Sequence, residues 1–147
     1  MRMKAVIQRV SQSQVSVGNS IISTIKNGLL IFLGVKKGDT EEHAKKLADR
    51  CLNMRIFEDT DNKFNLSIKD VHGEMLVVPQ FTLLADTSHG RRPSFIDAEE
   101  PREAERLYAL FIKTVNSAGI TAKGGRFGES MLVSLQNRGP VTIIMEE

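Results

Sequence analysis

The chain has 147 residues, of which 41% are apolar and 26% are charged, a composition typical of a folded globular protein rather than a disordered one. Its length suits one domain, which we expect to span residues 1–147. The formal net charge of +2 excludes the dense positive charge of proteins that coat nucleic acid, so any contact with RNA must be local.

The sequence contains no segment suited to crossing a membrane. Its longest apolar run, residues 29–35, is far shorter than the roughly 20 residues that a spanning helix needs, and the N-terminus lacks the apolar core of a signal peptide. The lone cysteine, Cys51, excludes an internal disulfide and fits a reducing compartment. We therefore expect a cytoplasmic protein in which Cys51 is a packed core thiol rather than a nucleophile.

The first third of the chain predicts three strands. Apolar and polar side chains alternate over residues 4–17, the period of a strand, and a second strand follows over residues 20–25. Asn27 and Gly28, a strong hairpin signal, then lead into the apolar run 29–33. We expect that run to be a central strand buried on both faces.

The next segment changes to the period of an amphipathic helix. Asp39 and Glu42 have the spacing of a capping pair at its start. Residues 58–65 superficially resemble a calcium loop, but Lys63 occupies a ligand position and Phe64 stands where the turn needs glycine. We expect a solvated hairpin loop there and no metal site. The apolar face of the helix comprises Ala44, Leu47, Ala48, Cys51 and Leu52.

The middle of the chain predicts a strand, a loop and a second helix. The strand covers residues 74–84, and Pro79 within it implies a bulge, an edge position or the end of regular pairing. A polar loop follows over residues 86–95, and Asp97 with Glu100 again has capping spacing. The apolar face of the second helix comprises Ala104, Leu107, Tyr108, Phe111, Ile112 and Val115.

The last part of the chain predicts two closing strands. Gly119 ends the second helix, and residues 131–135 and 141–145 form the strands, with Gly139 and Pro140 in the loop between them. The order of elements predicts an α/β fold in which two helices pack on a mixed sheet, rather than a doubly wound nucleotide-binding fold. We expect a single domain of mixed, mostly antiparallel sheets that curl toward a barrel, with the two amphipathic helices packed on them.

Side chains that would mark a hydrolytic or metal centre do not cluster in the sequence. His43, His72 and His89 show no ligand spacing between any two, and we expect each at the surface. Thr82 has no base near it in sequence, so its hydroxyl would be a poor nucleophile, and a purely structural role is equally open.

Two segments are candidates for contacts with phosphate. Residues 123–128 are glycine-rich but lack the ending of a phosphate loop, so they are a weak nucleotide site. They could instead form a flexible turn at which Lys123 or Arg126 meets a phosphate. Residues 89–92, His-Gly-Arg-Arg, form a second positive patch, for which a solvated loop and an RNA contact are both open interpretations.

Residues 78–83, Val-Pro-Gln-Phe-Thr-Leu, and residues 137–142, Asn-Arg-Gly-Pro-Val-Thr, closely resemble the signature motifs of the D-aminoacyl-tRNA deacylases, which remove D-amino acids from tRNA. Pro79 departs from the family's usual serine, and it removes both a hydroxyl and a backbone N–H. The resemblance spans essentially the whole chain, because further family-like segments occur in order at residues 8–10, 27–30, 92–95 and 125–127.

The resemblance implies a homodimer that acts on the 3′ acceptor end of aminoacyl-tRNA without a metal or another cofactor. It would hydrolyse the ester of D-aminoacyl-tRNA and of glycyl-tRNA mischarged on tRNA(Ala). In the family the Gly-Pro bond is cis and enters the partner's active site, where it rejects L-aminoacyl-tRNA. The resemblance also implies that hydrolysis relies on an RNA hydroxyl rather than on an enzyme nucleophile.

Carried over to this chain, the resemblance implies catalysis at residues 80–82, where backbone N–H groups around Phe81 and Thr82 hold the developing oxyanion. The residues that the resemblance thus implicates in catalysis are Gln80, Phe81 and Thr82, and those that it implicates in substrate binding are Gly139, Pro140, Pro79, Arg9, Asn137 and Phe127.

Two alternative functions stay open. A related branch that removes L-alanine from a threonine tRNA also has Pro-Gln but has alanine at the position of Phe81, so Phe81 favours the D-specific branch. The other alternative is a non-catalytic module that binds the tRNA acceptor end, which fits Pro79 and the lack of a visible catalytic triad. Assays of D- and L-charged tRNA with catalytic amounts of protein distinguish the three.

Overall fold

The structure, a computed structural model, describes residues 3–147. In chain order its elements are β1 (Lys4–Val17), β2 (Ser20–Ile25), β3 (Gly28–Gly34), α1 (Glu41–Asn53), β4 (Phe57–Glu58), β5 (Phe64–Leu66), β6 (Glu74–Pro79), a 3₁₀ turn (Phe81–Leu84), α2 (Pro101–Ser117), β7 (Ala122–Gly124) and β8 (Leu132–Glu146). The predicted bounds of β1 and β2 are confirmed, and β3 extends the predicted strand by one residue at each end.

The long strand β1 organises a six-stranded mixed sheet. β1 pairs antiparallel with β2, β3 and β8, whereas β3–β6 and β6–β7 are parallel pairs. β2 and β7, at opposite ends of the strand order, meet where Ser23 Oγ donates to Gly124 O (2.6 Å) and Lys123 Nζ donates to Thr24 O (2.7 Å). The sheet therefore curls toward a barrel, and the predicted α/β fold class is confirmed.

The core lies between the sheet and the two helices. The central strand β3 is buried through Leu29, Leu30 and Ile31, as its unbroken apolar run predicts. The predicted apolar face of α1 is fully buried, and that of α2 is buried except for the half-buried Ile112. Cys51 lies within this core, and burial raises the pKa of its thiol to about 12, so the prediction of a packed thiol is confirmed. None of the helices within residues 3–147 is long and apolar enough to cross a membrane.

The start of α1 differs from the predicted capping pair, Asp39 and Glu42. The N-cap is Thr40, whose hydroxyl accepts from His43 N (3.3 Å), while Nδ1 of His43 accepts from Thr40 N (3.1 Å). Asp39 instead turns toward the preceding loop and accepts from Lys36 N (2.7 Å). The reciprocal cap is therefore shifted by one residue, with histidine in the position that glutamate usually takes.

The start of α2 also differs from the prediction, which paired Asp97 with Glu100. Glu100 is itself the N-cap, and its carboxylate accepts from the backbone N–H groups of Arg102 (3.2 Å) and Glu103 (2.7 Å). Proline at the first helical position fixes this start, because its ring suits the helix and it has no N–H to satisfy. Gly119, at a φ of +90°, follows the end of α2 as predicted.

Residues 57–66 form a two-stranded hairpin, which confirms the prediction of a solvated loop at its tip. β4 and β5 pair antiparallel, and the Asp59 carboxylate accepts from the N–H groups of Asp61 (2.8 Å) and Lys63 (3.1 Å). These bonds hold the pKa of Asp59 below its usual range, with the bond from Lys63 contributing most. The carboxylate is thus used to shape the turn.

The predicted strand over residues 74–84 is too long, because β6 ends at Pro79 and the 3₁₀ turn follows. Proline cannot donate to the sheet, and the next residue, Gln80, donates its N–H to Leu33 O (2.8 Å) instead. Of the three meanings that Pro79 allowed, the end of regular pairing is the one observed. The chain leaves the sheet here and exposes Gln80 and the turn.

The two predicted closing strands are in fact one strand, β8. Both of its halves pair antiparallel with β1, with Val133 opposite Val15 and Ile143 opposite Ile7. Between the halves the register shifts, so that residues 138–141 bulge opposite Arg9. The prediction was wrong because β1 is long enough to pair with both segments on either side of the Gly-Pro loop.

Candidate active site

A cleft of about 660 Å³ opens where β6 ends, near the start of α2 and the segment after β7. Of the predicted site residues, Pro79, Gln80, Phe81 and Phe127 line it. Thr82 follows these residues in the 3₁₀ turn and is exposed. The structure therefore brings the predicted catalytic segment and Phe127 together at one cavity.

The 3₁₀ turn presents free hydrogen-bond donors at this cleft. The backbone N–H groups of Phe81 and Thr82 meet no acceptor within residues 3–147, as is typical of the first groups of a helical turn. The hydroxyl of Thr82 accepts a short hydrogen bond from the side-chain amide of Gln80. No histidine, lysine or carboxylate contacts that hydroxyl, so the described part of the chain supplies no base to activate it.

Aromatic side chains form part of the cleft wall. Phe81 is 56% exposed and meets Phe95 edge to face, with 5.2 Å between the ring centroids. On another side, Phe127 packs against Tyr108 at 6.2 Å. An exposed phenylalanine held by a second ring gives the cleft a fixed apolar surface that a ligand can cover.

Tyr108 supports the site from beneath. Its hydroxyl donates to Val77 O (2.7 Å) and accepts from Gly125 N (3.0 Å), and burial raises the pKa of the phenol to about 12. A Cβ at Gly124 would lie 2.4 Å from that hydroxyl oxygen, and one at Gly125 would lie 2.5 Å from Met131 Sδ. Close packing thus explains Gly124 and Gly125, whereas Gly128 has open space around it and a φ of +80°.

The charged side chains that line the cleft are acidic, and each has a partner. Glu99 accepts from the N–H groups of Gly38 (3.3 Å) and Glu100 (2.9 Å), Glu100 caps α2, and Glu129 faces Arg126 Nε at 3.8 Å. Lys123, the other residue of segment 123–128 that was predicted to meet a phosphate, donates from Nζ to Thr24 O in β2 instead. The cleft thus offers apolar walls and free backbone donors.

Metal-ligand clusters do not occur within residues 3–147, where no three His, Cys, Asp or Glu side chains are placed to hold an ion. His72 and His89 are exposed, as predicted for surface histidines. His43 is half-buried because it completes the cap of α1.

Arg9 belongs to a second cluster, which does not line the cleft. Although it is charged, Arg9 is only 7% exposed. Its guanidinium donates to Ile56 O (2.8 Å) and Arg138 O (3.0 Å), lies 3.4 Å from the Glu58 carboxylate and stacks 5.5 Å from the centre of the Phe64 ring. Arg9 therefore ties the β4–β5 hairpin to the bulge of β8.

The bulge itself is framed by Asn137 and exposes the Gly-Pro step. The Asn137 amide accepts from Val141 N (3.1 Å) and donates to Thr142 Oγ1 (3.2 Å). Gly139, at a φ of +127°, and Pro140 are exposed, and the peptide bond between them is cis, as the family resemblance implies. The predicted residues Arg9, Asn137, Gly139 and Pro140 thus form one cluster, separate from the cleft.

Several residues of the cleft carry no individual signal in the sequence. Phe95 lies in a family-like segment, but nothing in its own type or spacing indicates a contact with Phe81. Met131 was predicted to lie in a strand, whereas it precedes β8 and lines the cleft. Glu99 and Glu129 were not singled out, since acidic residues near turns are common.

Comparison with known proteins confirms the resemblance. The family model described as D-Tyr-tRNA(Tyr) deacylase matches residues 6–146. Proteins named D-aminoacyl-tRNA deacylase from Dehalococcoides mccartyi and Aquifex aeolicus are 52% and 51% identical over 144 residues, covering 98% of this chain and 94% and 97% of their own lengths.

Solved structures agree in fold. One described as the c-Myc DNA unwinding element binding protein has a TM-score of 0.91 at 37% identity, with 98% of each chain covered. A probable eukaryotic D-amino acid tRNA deacylase has a TM-score of 0.88 over the full length of both chains, and at 18% identity it shows the fold alone. Since the family model and the relatives cover nearly the whole sequence, this chain belongs to the D-Tyr-tRNA(Tyr) deacylase family.

Proposed function

We propose that this protein is a D-aminoacyl-tRNA deacylase, which hydrolyses the ester between a D-amino acid and the terminal ribose of tRNA. The observation that carries the proposal is the identity of about half of the sequence, over 98% of the chain, with relatives named for that activity. Action on tRNA fits the expected cytoplasmic location.

The 3₁₀ turn supports the chemistry. Water attacks the ester carbonyl, the carbonyl oxygen becomes an oxyanion, and the C–O bond to the ribose then breaks as that ribose oxygen gains a proton. The free N–H groups of Phe81 and Thr82 are suited to stabilise the oxyanion, and one good donor is worth roughly 3–4 kcal/mol. Because the described part of the chain places no base at the turn, the vicinal ribose hydroxyl takes that role.

The outer edge of β8 supports a homodimer. Within residues 3–147 this 15-residue strand pairs with β1 alone, and its apolar side chains Leu132, Leu135 and Ile144 are exposed. A long open edge of this kind is a surface on which another chain can pair. Because Gly139 and Pro140 do not line the cleft of their own chain, we assign them to the cleft of a second copy.

In this arrangement the Gly-Pro step selects by exclusion. Its backbone would crowd the Cα substituent of an L-residue and leave the D-substituent free. Glycine has no such substituent, so glycyl-tRNA, including tRNA(Ala) mischarged with glycine, is accepted as well. Arg9 and Asn137 act by holding residues 138–141 in place.

The decisive test is turnover of D- and L-tyrosyl-tRNA by catalytic amounts of the purified protein. We expect many turnovers with the D-isomer and little hydrolysis of the L-isomer. L-alanyl-tRNA(Thr), assayed in parallel, tests the related branch. Binding without turnover on all three substrates would leave a non-catalytic acceptor-end module and overturn the proposal.

Thr82→Ala should keep kcat/KM for D-tyrosyl-tRNA within about a factor of ten of the wild-type value. Its hydroxyl already accepts from Gln80 and contacts no base, whereas loss of a true nucleophile costs about 10⁶-fold in a hydrolase. Thr82→Val, which keeps the shape, separates packing from chemistry. Trapping of an acyl-Thr82 intermediate would contradict this prediction.

A further inference from the structure

A loop beside the cleft concentrates positive charge. Residues 86–94, called here the basic loop, are closed at the base by two backbone hydrogen bonds, from Asp86 N to Ser94 O (2.8 Å) and from Ser94 N to Asp86 O (2.9 Å). The Asp86 carboxylate accepts from the hydroxyl (2.6 Å) and the N–H (2.9 Å) of Ser88, and these bonds lower its pKa. The base is thus fixed, while residues 87–93 are exposed.

The arginines of the basic loop differ in their pairing from most other arginines of the described chain. Arg91 and Arg92 make no ion pair with any carboxylate in residues 3–147, whereas several arginines elsewhere are paired: Arg9, Arg50, Arg106 and Arg126. The one acid of the loop, Asp86, is occupied at the base by Ser88. Two adjacent exposed guanidinium groups without a counter-ion are suited to bind phosphate.

The basic loop begins and ends at the cleft wall. The chain reaches it through the 3₁₀ turn that starts at Phe81 and leaves it at Phe95, and these two rings contact each other and line the cleft. Gly90, the turn at its tip with a φ of +69°, is four residues from either end of the base, so the tip extends at most about 14 Å from it. Arg91 and Arg92, three and two residues before the Ser94 end of the base, therefore stand close to the cleft wall.

The cleft itself cannot neutralise phosphate. Its charged lining residues are Glu99, Glu100 and Glu129, and the nearby Arg126 already faces Glu129. RNA that delivers its terminal ribose into this cleft must carry its phosphates past these acids. The unpaired cations at the rim offset that repulsion.

We propose that Arg91 and Arg92 bind backbone phosphates of the tRNA acceptor end next to the terminal nucleotide, and so position the ester in the cleft. This inference rests on the proposed deacylase function. A contact with a phosphate does not depend on the base sequence. The basic loop therefore contributes affinity for any tRNA rather than a preference among tRNAs.

The test uses two substrates and one binding assay. Arg91→Ala, Arg92→Ala and the double variant are compared with Lys113→Ala, which removes one exposed positive charge from α2. Hydrolysis is measured on D-tyrosyl-tRNA and on D-tyrosyl-adenosine, an ester without phosphates. Binding of uncharged tRNA is measured between roughly 50 and 200 mM salt, where about four phosphate contacts give a slope of log affinity against log salt near −4.

We expect each arginine variant to flatten that slope by about one unit and to lower kcat/KM on the tRNA about tenfold, with the adenosine ester unaffected. Lys113→Ala should change neither measurement. Unchanged slopes, or equal losses on both substrates, would overturn the inference and leave a solvated loop. If the wild-type protein hydrolyses neither ester, the proposed function fails, and the slopes for uncharged tRNA still decide the role of the loop.

Discussion

Replacing Arg9 with methionine is expected to lower the free energy of unfolding by about 2–5 kcal/mol. The substitution keeps an apolar stem but leaves the carbonyl groups of Ile56 and Arg138 without their donor, and hydrogen bonds to a charged group are worth about 1.5–3 kcal/mol each. Chemical denaturation measures the loss. Arg55→Met, at an exposed arginine beside Ile56, should change stability by less than about 0.5 kcal/mol.

The same substitution is expected to weaken rejection of L-aminoacyl-tRNA, provided that residues 138–141 enter the partner's cleft. Arg9 donates to the carbonyl next to Gly139, so its loss frees the bulge that the proposed selection requires. Arg9→Lys keeps the charge but cannot span the two carbonyl groups as a guanidinium does, so its selectivity should be intermediate. The ratio of D- to L-tyrosyl-tRNA hydrolysis is the measurement.

Gly139→Ala tests the bulge without removing the buried arginine or its hydrogen-bond donors. Its φ of +127° disfavours any side chain, and the added Cβ would lie 2.9 Å from Arg9 Nη2 and from Val141 Cγ2, so the exposed tip must shift. Selectivity should fall with a smaller loss of stability. If both variants are folded and dimeric by sedimentation and still discriminate as the wild type does, the Gly-Pro step is only a turn.

Local patterns predicted most of the fold because they reflect local physics. The alternation in residues 4–17 and the helical faces are set by which side chains can be buried, and the structure confirms both except at the half-buried Ile112. The observed helix caps differ from the predicted ones because several neighbouring polar residues can cap each helix. In α1 the cap is Thr40 rather than Asp39, since the Thr40 hydroxyl accepts from His43 N. The two predicted closing strands form the single strand β8 because both pair with the long strand β1, which lies more than a hundred residues earlier in the chain.

The site was harder to predict because its residues meet only in three dimensions. The resemblance supplied residues 79–82, yet the contact of Phe81 with Phe95 arises from a loop closed by backbone bonds that no composition reveals. Nor does the sequence indicate that Arg9 is buried among carbonyl groups, since arginine is usually exposed. Because Arg9 is buried and does not line the cleft, it can hold residues 138–141 in place but cannot contact a ligand in the cleft of its own chain.

A D-tyrosyl-tRNA whose terminal adenosine lacks the 2′-hydroxyl is expected to be hydrolysed roughly 10²–10⁴-fold more slowly, the usual range for general acid–base assistance. The Thr82 hydroxyl accepts from Gln80, Glu99 accepts from two backbone N–H groups, and Glu129 faces an arginine. Because no base from residues 3–147 contacts the turn, the vicinal hydroxyl is left to orient water and exchange the proton.

The vicinal hydroxyl also activates the ester without any enzyme, so the rate on each ester must be divided by its own uncatalysed rate. A 2′-fluoro adenosine is the matched control, because it withdraws electrons but has no proton to give. If the hydroxyl acts in the proton transfer, the acceleration falls on both modified esters, while competition assays show that both still bind. An undiminished acceleration on the 2′-deoxy ester would place the base in the protein, and Glu99 and Glu129 would then be the first carboxylates to replace.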